Sequence, residues 1–580
     1  MKNEKWANER EIKKVLTEKA CPLVGDSIGG PVLYHASQQS WIYGGEGHFM
    51  NFGVSGAGKS RRCSIPTTRM LIESGESFAV VDPKGEIYNQ TACYLGDTYE
   101  WYVLNFRDMA ASMCWNPLME PYRLYTSQDP SEREQACQMI DDLAASLYPI
   151  VGNNDPFWPC QARDLFAGAC YLLFENARPE EVHIASVFHM ISQGEETLGQ
   201  GTYLKLLIDE LPRDSIGGMM LKSYVTTAND TKGGIRSTFF MGISKFVRSA
   251  EMLKTLGNDQ INIYGHTGQK PVAIYVILPD ETPVFNELAG VFMSQITLHY
   301  IHLAQKNFNG RLPVRFNVIL EELGNIGKAV PNLAYLMSAS RSRNIRCHLF
   351  LQNMSQLSDI YGEEGAQTIT SNADIILAFR TTHWGTLEEL SKKCGQRSVC
   401  QDGSFHTEPL ITPTQLGAMK TGQGLVMISG WTKYIVNLPD YSEMFDLSNW
   451  RMPVPLVRKN MQTPGVFDIR AFVKEMKRKK LLAMMNTPPD DQAKKPIFRL
   501  ILTGINSEEA LRKITIVIRC ELEAEFKNVS DSELHHQLFR AKCGISMPLL
   551  KTSDERRARI LKIHLEKAGG QVNLMNVHED

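Results

Sequence analysis

Short runs that are apolar on both faces recur along this chain: SFAVVD at 77–82, WYVLNF at 101–106, VAIYVIL at 272–278, RFNVILEE at 315–322, RCHLFLQ at 346–352, ADIILAF at 373–379 and GLVMIS at 424–429. β-Branched strands with no polar face suit a parallel sheet covered by helices on both sides. The period changes between 118 and 262, where Cys137, Ile140, Leu143 and Leu147 repeat at helical spacing. ARDLFAGACYLLFENA and IRSTFFMGISKFVRSAEMLKTL in the same region are also helical in pattern. An all-helical insertion in an α/β domain accounts for both textures.

The ends of the chain read differently. Residues 1–44 form a lead segment, predicted to be a helix followed by a loop containing GDSIGGP. Residues 448–496 carry prolines, a basic helix candidate FDIRAFVKEMKRKKLL and the linker-like string NTPPDDQAKKP. Residues 497–580 alternate strand, helix, helix, strand, helix, strand, the pattern of a small α+β domain. The α/β domain is therefore discontinuous, 45–117 and 263–447, with the helical insertion at 118–262 between its halves.

Composition narrows the classes. A chain of 580 residues is too long for one core, and two to four domains are expected. A formal net charge of -2 excludes a surface that is basic all over, so any nucleic acid must be held by a local patch or channel. The 12 cysteines include no CxxC pair and are expected to be reduced, with zinc not expected. The polar opening MKNEKWANEREIKK gives no signal peptide, and no apolar run approaches the roughly 20 residues of a spanning helix.

The sharpest chemical signal is GVSGAGKS, a G-x-x-x-x-G-K-S string from Gly53 to Ser60. GHFM before it reads as a buried strand, and a helix is predicted from Lys59 to about Glu73. In that setting Gly53, Gly56 and Gly58 let backbone N–H groups wrap phosphates, and the helix N-terminus adds positive potential. Lys59 would reach the outer phosphates and Ser60 would hold Mg²⁺. The bland reading is a glycine-rich turn that binds nothing.

ATP hydrolysis also needs a carboxylate for the metal and one for the attacking water, both past an apolar strand beside the loop. RFNVILEE supplies Glu321 for the metal and Glu322 for the water; an ordinary exposed strand end is the alternative. Gln352 ends another buried strand, where an amide can sense a γ-phosphate. Eleven residues earlier lies Arg341, a candidate finger offered across a subunit boundary. Alternatively Arg341, Arg343 and Arg346 are solvated or phosphate-facing. VVDPKGE places Asp82 at a strand end and Lys84 and Glu86 at the carboxyl edge of the sheet, where ligands bind in such folds; a plain turn is the alternative.

The ordered set GVSGAGKS, VVDPKGE, WNPL, DPFWPCQARDL, ILEELGNIGK, SRSRNIRCHLFLQNMSQL and SNADIILAFR resembles the type IV secretion coupling proteins, the TraG/TraD-like ATPases of conjugation, over about residues 5–440. The resemblance implies a RecA-like P-loop ATPase core with an all-helical insertion, using ATP and Mg²⁺ and active as a homo-hexamer. It implies delivery of relaxase-bound or single-stranded DNA, or of protein cargo, to a secretion channel, with relaxosome and channel components as partners. It puts Gly58, Lys59 and Ser60 on the phosphates, Glu321 and Glu322 at metal and water, Gln352 at the sensor and Arg341 as the finger. Glu321 departs from the family's usual Asp, and the transmembrane hairpin with which many members begin is not seen in this sequence: either the chain starts after it, or this is a soluble variant docking onto a membrane partner. A cytoplasmic protein, peripheral at the inner face of the membrane through its partners, is therefore expected.

Two rival readings stay open: a double-stranded DNA pump of the FtsK/HerA kind, and a cargo adaptor with little ATPase activity. The C-terminal unit, ending in ILKIHLEKAGGQVNL, is similar to the C-terminal domain of the bacterial ribosomal stalk protein. That likeness makes Arg556, Arg557, Arg559 and Lys562 a candidate partner-recruiting face; an ordinary solvated helix is the equal alternative.

Overall fold

The computed structural model describes residues 4–18, 28–150, 155–261, 263–326, 330, 332–401, 404–453, 461–486 and 497–577. It divides into two compact units, Met1–Val473 and Lys474–Asp580. The first is built on a nine-stranded sheet. Its strands are β1 His48–Phe52, β2 Ser77–Asp82, β3 Glu100–Asn105, β4 Val272–Ile277, β5 Phe316–Leu320, β6 Ile345–Leu351, β7 Ala373–Ala378, β8 Gln423–Ile428 and β9 Thr432–Asn437.

Across the sheet the order is β9-β8-β7-β1-β6-β5-β2-β4-β3. β7 through β3 run parallel. Every residue of β1, β2, β4, β5 and β6 is buried, which is why these strands carry no polar face. The expectation of an all-parallel sheet fails at one edge. β8 pairs antiparallel with β7, and β9 antiparallel with β8. A doubly buried strand has the same residue pattern in either direction, so the pattern carries no orientation.

Between β3 and β4 the chain folds into helices, from Met119–Tyr125 through Pro130–Leu147 and Phe157–Asn176 to Ala250–Gly257. A two-residue hairpin, Thr197–Leu198 with Gly201–Thr202, interrupts them. The lead segment also differs from its reading. After helix Glu9–Val15 comes a small antiparallel sheet of Thr17–Glu18, Val32–Ala36 and Gln39–Ile42, where a loop was expected. GDSIGGP lies partly outside the described residues, and NTPPDDQAKKP almost wholly so. The basic candidate before it is the helix Ile469–Asn486.

In the second unit, Ile497–Ile505 is the centre of a three-stranded antiparallel sheet flanked by Met547–Thr552 and Gly570–Val577. Helices Glu508–Glu521, Asp531–Lys542 and Glu555–Lys567 bury Leu511, Ile514, Ile518, Leu534, Leu538, Leu561 and Leu565 with Leu500 and Leu502 of the sheet. The basic face expected on the last helix is largely committed. Arg557 pairs with Glu525 at 3.0 Å, Arg559 with Glu555 at 2.5 Å and Lys562 with Glu566 at 3.7 Å.

Candidate nucleotide site

The parallel strands bring their carboxyl ends to one edge, and four of the marked segments meet there. The loop after β1 is held by its neighbours. The Gly53 N–H donates to Leu351 O at 3.1 Å and the Val54 N–H to Arg380 O at 3.1 Å. Gly56 and Gly58 have φ of 75° and 102°, the left-handed region that side chains disfavour. A Cβ on Gly58 would also meet Arg62 Cδ at 2.7 Å. The helix that follows differs from its reading in its first turn. Ser60–Ser64 is a π-helical turn, and the α-helix runs Ile65–Ser74. Such turns recur at functional sites.

Lys59 is buried, and its ammonium donates to Gly53 O at 2.7 Å, curled back over its own loop. It lies 3.9 Å from Glu322 Oε1. Burial pulls its pKa down, with Glu322 and Glu321 opposing. The Ser60 hydroxyl donates to Glu321 Oε1. Glu321 is buried, and its Oε2 has no hydrogen-bond partner among the described residues. Burial raises its pKa.

Glu322 has φ 56°, a strained backbone for a side-chain-bearing residue, and its carboxylate stays partly open. Gln352 Nε2 donates to Glu322 Oε2 at 3.3 Å, joining the ends of β5 and β6. Asp82 is buried at the end of β2, takes the Tyr88 N–H at 2.8 Å and has its pKa pushed up by burial to about 7. Ser60, Asp82, Pro83, Lys84, Glu86, Ile87, Glu321 and Glu322 line one cavity. The structure thus brings together Gly53, Gly56, Gly58, Lys59, Ser60, Asp82, Lys84, Glu321, Glu322 and Gln352.

The donor set fits a phosphate with a hard divalent cation. The loop supplies Lys59 and a glycine-rich backbone that side chains do not crowd, and a hydroxyl beside a half-satisfied buried carboxylate offers oxygen ligands. A family model described as "Type IV secretory system Conjugative DNA transfer" matches residues 1–433.

The chain belongs to this family.

Two VirD4 proteins are similar to it. That of Rhizobium rhizogenes is 22% identical over 437 residues, spanning 70% of this chain and 60% of the relative. That of Agrobacterium fabrum (strain C58 / ATCC 33970) is 21% identical over 436 residues, with the same coverage. The chain thus spans about 60% of the length of these curated relatives. Among solved structures, the bacterial conjugative coupling protein TrwBdeltaN70 aligns at TM-score 0.57 and 16% identity, over 78% of this chain and 95% of that one. The plasmid coupling protein TrwB in complex with ADP and Mg²⁺ aligns at 0.55 and 16%, over 76% and 94%. These likenesses show that this type IV family member shares the fold of the TrwB structures, a large mostly parallel sheet with helices around it.

One expected residue of the conjugative-transfer set is not at this edge. Arg341 precedes β6 at the amino edge, a strand length away, about 20 Å at ~3.3 Å per residue. There it is 56% exposed and pairs with Asp374 Oδ2 at 2.8 Å. Arg346 is neither solvated nor phosphate-facing: it is fully buried. Two contacts escaped the sequence reading. Arg61 grips Asp440 through two bonds of 2.6 and 2.8 Å, and Arg62 donates to Leu438 O, so the chain after β9 braces the loop helix. Arg380, exposed just past β7, sits against the loop through its carbonyl. An arginine two residues beyond the end of an apolar strand was the available signal.

Proposed function

We propose that this chain is an ATP-driven coupling motor that delivers relaxase-bound or single-stranded DNA, or protein cargo, to a type IV secretion channel. Family membership supports the task, and the carboxyl edge supports the chemistry. The observation that carries it is the Lys59, Ser60, Glu321, Glu322 constellation, with one buried carboxylate oxygen unpartnered.

In this reading Gly53, Gly56, Gly58 and Lys59 hold the phosphates of ATP, with Lys84 at the rim. Ser60 and Glu321 hold Mg²⁺, whose charge stabilises the transferring phosphoryl group when it is bound. Asp82, buried beside the cavity, shapes its acidic wall. Glu322 orients the attacking water, and Gln352, bonded to it, reports whether the outer phosphate is present. The side chain of Glu321, longer by a methylene than the family's Asp, reaches the Ser60 hydroxyl directly in the structure. Arg341 cannot act on its own subunit's site. It is therefore assigned to the site of a neighbour in a homo-hexamer.

The core, 45–117 with 263–447, is assigned the motor chemistry. The helical region 118–262 and the tail 497–580, joined through 448–496, are assigned to cargo and partners. Membrane contact would come through those partners; among the described residues no helix is long and apolar enough to cross a bilayer.

Steady-state ATP hydrolysis with and without single-stranded DNA tests the proposal. Turnover that rises with single-stranded DNA, and falls roughly 10²–10⁴-fold in Glu322→Gln, is expected. No turnover in the wild type would favour the adaptor reading. Stimulation by duplex DNA alone would favour the double-stranded pump.

A further inference from the structure

Ser64 closes the π-helical turn that Ser60 opens, and it is wholly buried. Its hydroxyl has no hydrogen-bond partner among the described residues. A buried serine or threonine inside a helix ordinarily turns its hydroxyl back onto the carbonyl four residues earlier. Thr68, in the same helix, does so: its Oγ1 donates to Ser64 O at 2.9 Å. The corresponding carbonyl for Ser64 is that of Ser60. It accepts the Ile65 N–H across the π-helical turn and takes no bond from the Ser64 hydroxyl.

What the hydroxyl stands beside is a carboxylate. Burial raises the pKa of Glu321, and the hydroxyls of Ser60 and Ser64 both act against that rise. Ser60 donates to Glu321 Oε1, while Oε2 has no partner among the described residues. Side chains four positions apart on a helix are neighbours, about 5–6 Å between their Cβ atoms, a span that one carboxylate between two hydroxyls can bridge. An unmet donor and an unmet acceptor thus share one buried corner of the site. Each is costly to leave unmade.

We infer that Ser64 is a positioning residue for the cation site: when Mg²⁺ and nucleotide bind, its hydroxyl closes on the Glu321 carboxylate, which is then held by two hydroxyls one helical turn apart. This rests on the reading of Ser60 and Glu321 as the holders of Mg²⁺. Each carboxylate oxygen carries two lone pairs, so two hydroxyls leave lone pairs free for the cation. The extra methylene of Glu321 is what makes a second donor useful. It adds a rotatable bond, and a carboxylate tethered at one oxygen can swing about it. A second hydrogen bond fixes the orientation of a ligand in the way outer partners do at metal sites. A shorter Asp at this position would draw back toward β5, away from the helix that carries both serines.

The test is a Mg²⁺ titration with a fluorescent, non-hydrolysable ATP analogue, repeated in chelator, with unfolding curves of the ligand-free proteins. Ser64→Ala is expected to need about tenfold more Mg²⁺ for half-saturation, and to bind the analogue in chelator within about threefold of the wild type. Its ligand-free unfolding midpoint should be no lower than the wild type's, because the hydroxyl removed had no partner. In a Glu321→Asp background the same substitution should raise the Mg²⁺ requirement less than about threefold, since the shorter carboxylate no longer reaches Ser64. A Mg²⁺ requirement that rises in Ser60→Ala but is unchanged in Ser64→Ala overturns the inference alone. Equal weakening with and without Mg²⁺, or early unfolding of ligand-free Ser64→Ala, makes Ser64 a packing residue and overturns it as well. If neither Ser60→Ala nor Ser64→Ala changes the requirement, the reading of the cation site fails and takes the inference with it.

Discussion

The two edges of the same parallel sheet both bury charge, and they treat it in opposite ways. At the amino edge Glu76 is fully buried and every lone-pair direction is used. It accepts from the Gly29 N–H at 2.9 Å, Asn317 Nδ2 at 2.9 Å, Arg346 Nη2 at 3.3 Å and Arg315 Nη1 at 3.4 Å. Arg346 spends its remaining donors on Asn317 Oδ1 and the carbonyls of Gly29, Tyr43 and Gly45. This cluster ties the starts of β5 and β6 to the lead segment. At the carboxyl edge Glu321 is as deeply placed but keeps an oxygen without a partner, Lys59 folds onto its own loop, and Glu322 holds a strained backbone. Burial with full pairing is architecture; burial left half-paired is readiness for something that binds.

The sharpest way to break this contrast is to neutralise one carboxylate at each edge. Glu76→Gln leaves the buried Arg346 guanidinium and the half-buried Arg315 without their counter-charge and is expected to destabilise the first unit by about 3–5 kcal/mol. Glu321→Gln removes a charge that burial already disfavours, so stability should hold or rise by about 0–2 kcal/mol while hydrolysis falls. Chemical denaturation of both variants, followed by a probe in the first unit, checks the pair. Equal losses would erase the distinction between the edges.

A smaller effect sharpens it. His299, on helix Asn286–Asn307, is half-buried, with its Nε2 enclosed and unpartnered among the described residues and its ring packed on Tyr264 and Tyr300. Burial holds its pKa at about 3, against an ordinary 6.5. Between those values the unfolded chain binds the extra proton, so this contribution is complete above about pH 6.5 and is lost as pH falls. At pH 5 the loss is roughly 2 kcal/mol. His299→Phe should flatten that part of the acid profile in denaturation experiments and leave turnover at neutral pH unchanged. A turnover defect would mean that unpaired burial away from the carboxyl edge is also functional.

Much of this was legible in the residues, for identifiable reasons. Seven apolar runs became seven strands of the large sheet because strands buried on both faces cannot hide in a sequence. GVSGAGKS, VVDPKGE and RFNVILEE converged because parallel strands deliver their ends to one edge. What was missed depends on pairing. β9 and the strands at 32–42 mix polar residues with aromatics and have no clean period. Arg346 is the second residue of the fully buried β6 and follows Arg341 and Arg343, and its counter-charge, Glu76, is 270 residues away. The brace from Arg61 to Asp440 likewise spans 379 residues. The candidate residues that meet at the carboxyl edge were marked through their local spacing; the placement of Arg341 at the opposite edge required the topology.

The central claim is that the carboxyl edge is built for a nucleotide and its cation, and Lys59 tests it most directly. Lys59→Ala removes the buried ammonium while the loop keeps its glycines and its bonds to Leu351 and Arg380. The measurement is a titration of Mg²⁺ with a fluorescent, non-hydrolysable ATP analogue against wild type and variant, with unfolding curves recorded alongside. Saturable binding in the wild type and its loss in Lys59→Ala, at matching stability, is the expected result. Equal affinity in the two proteins would contradict the assignment of the loop from Gly53 to Ser60 as the phosphate site.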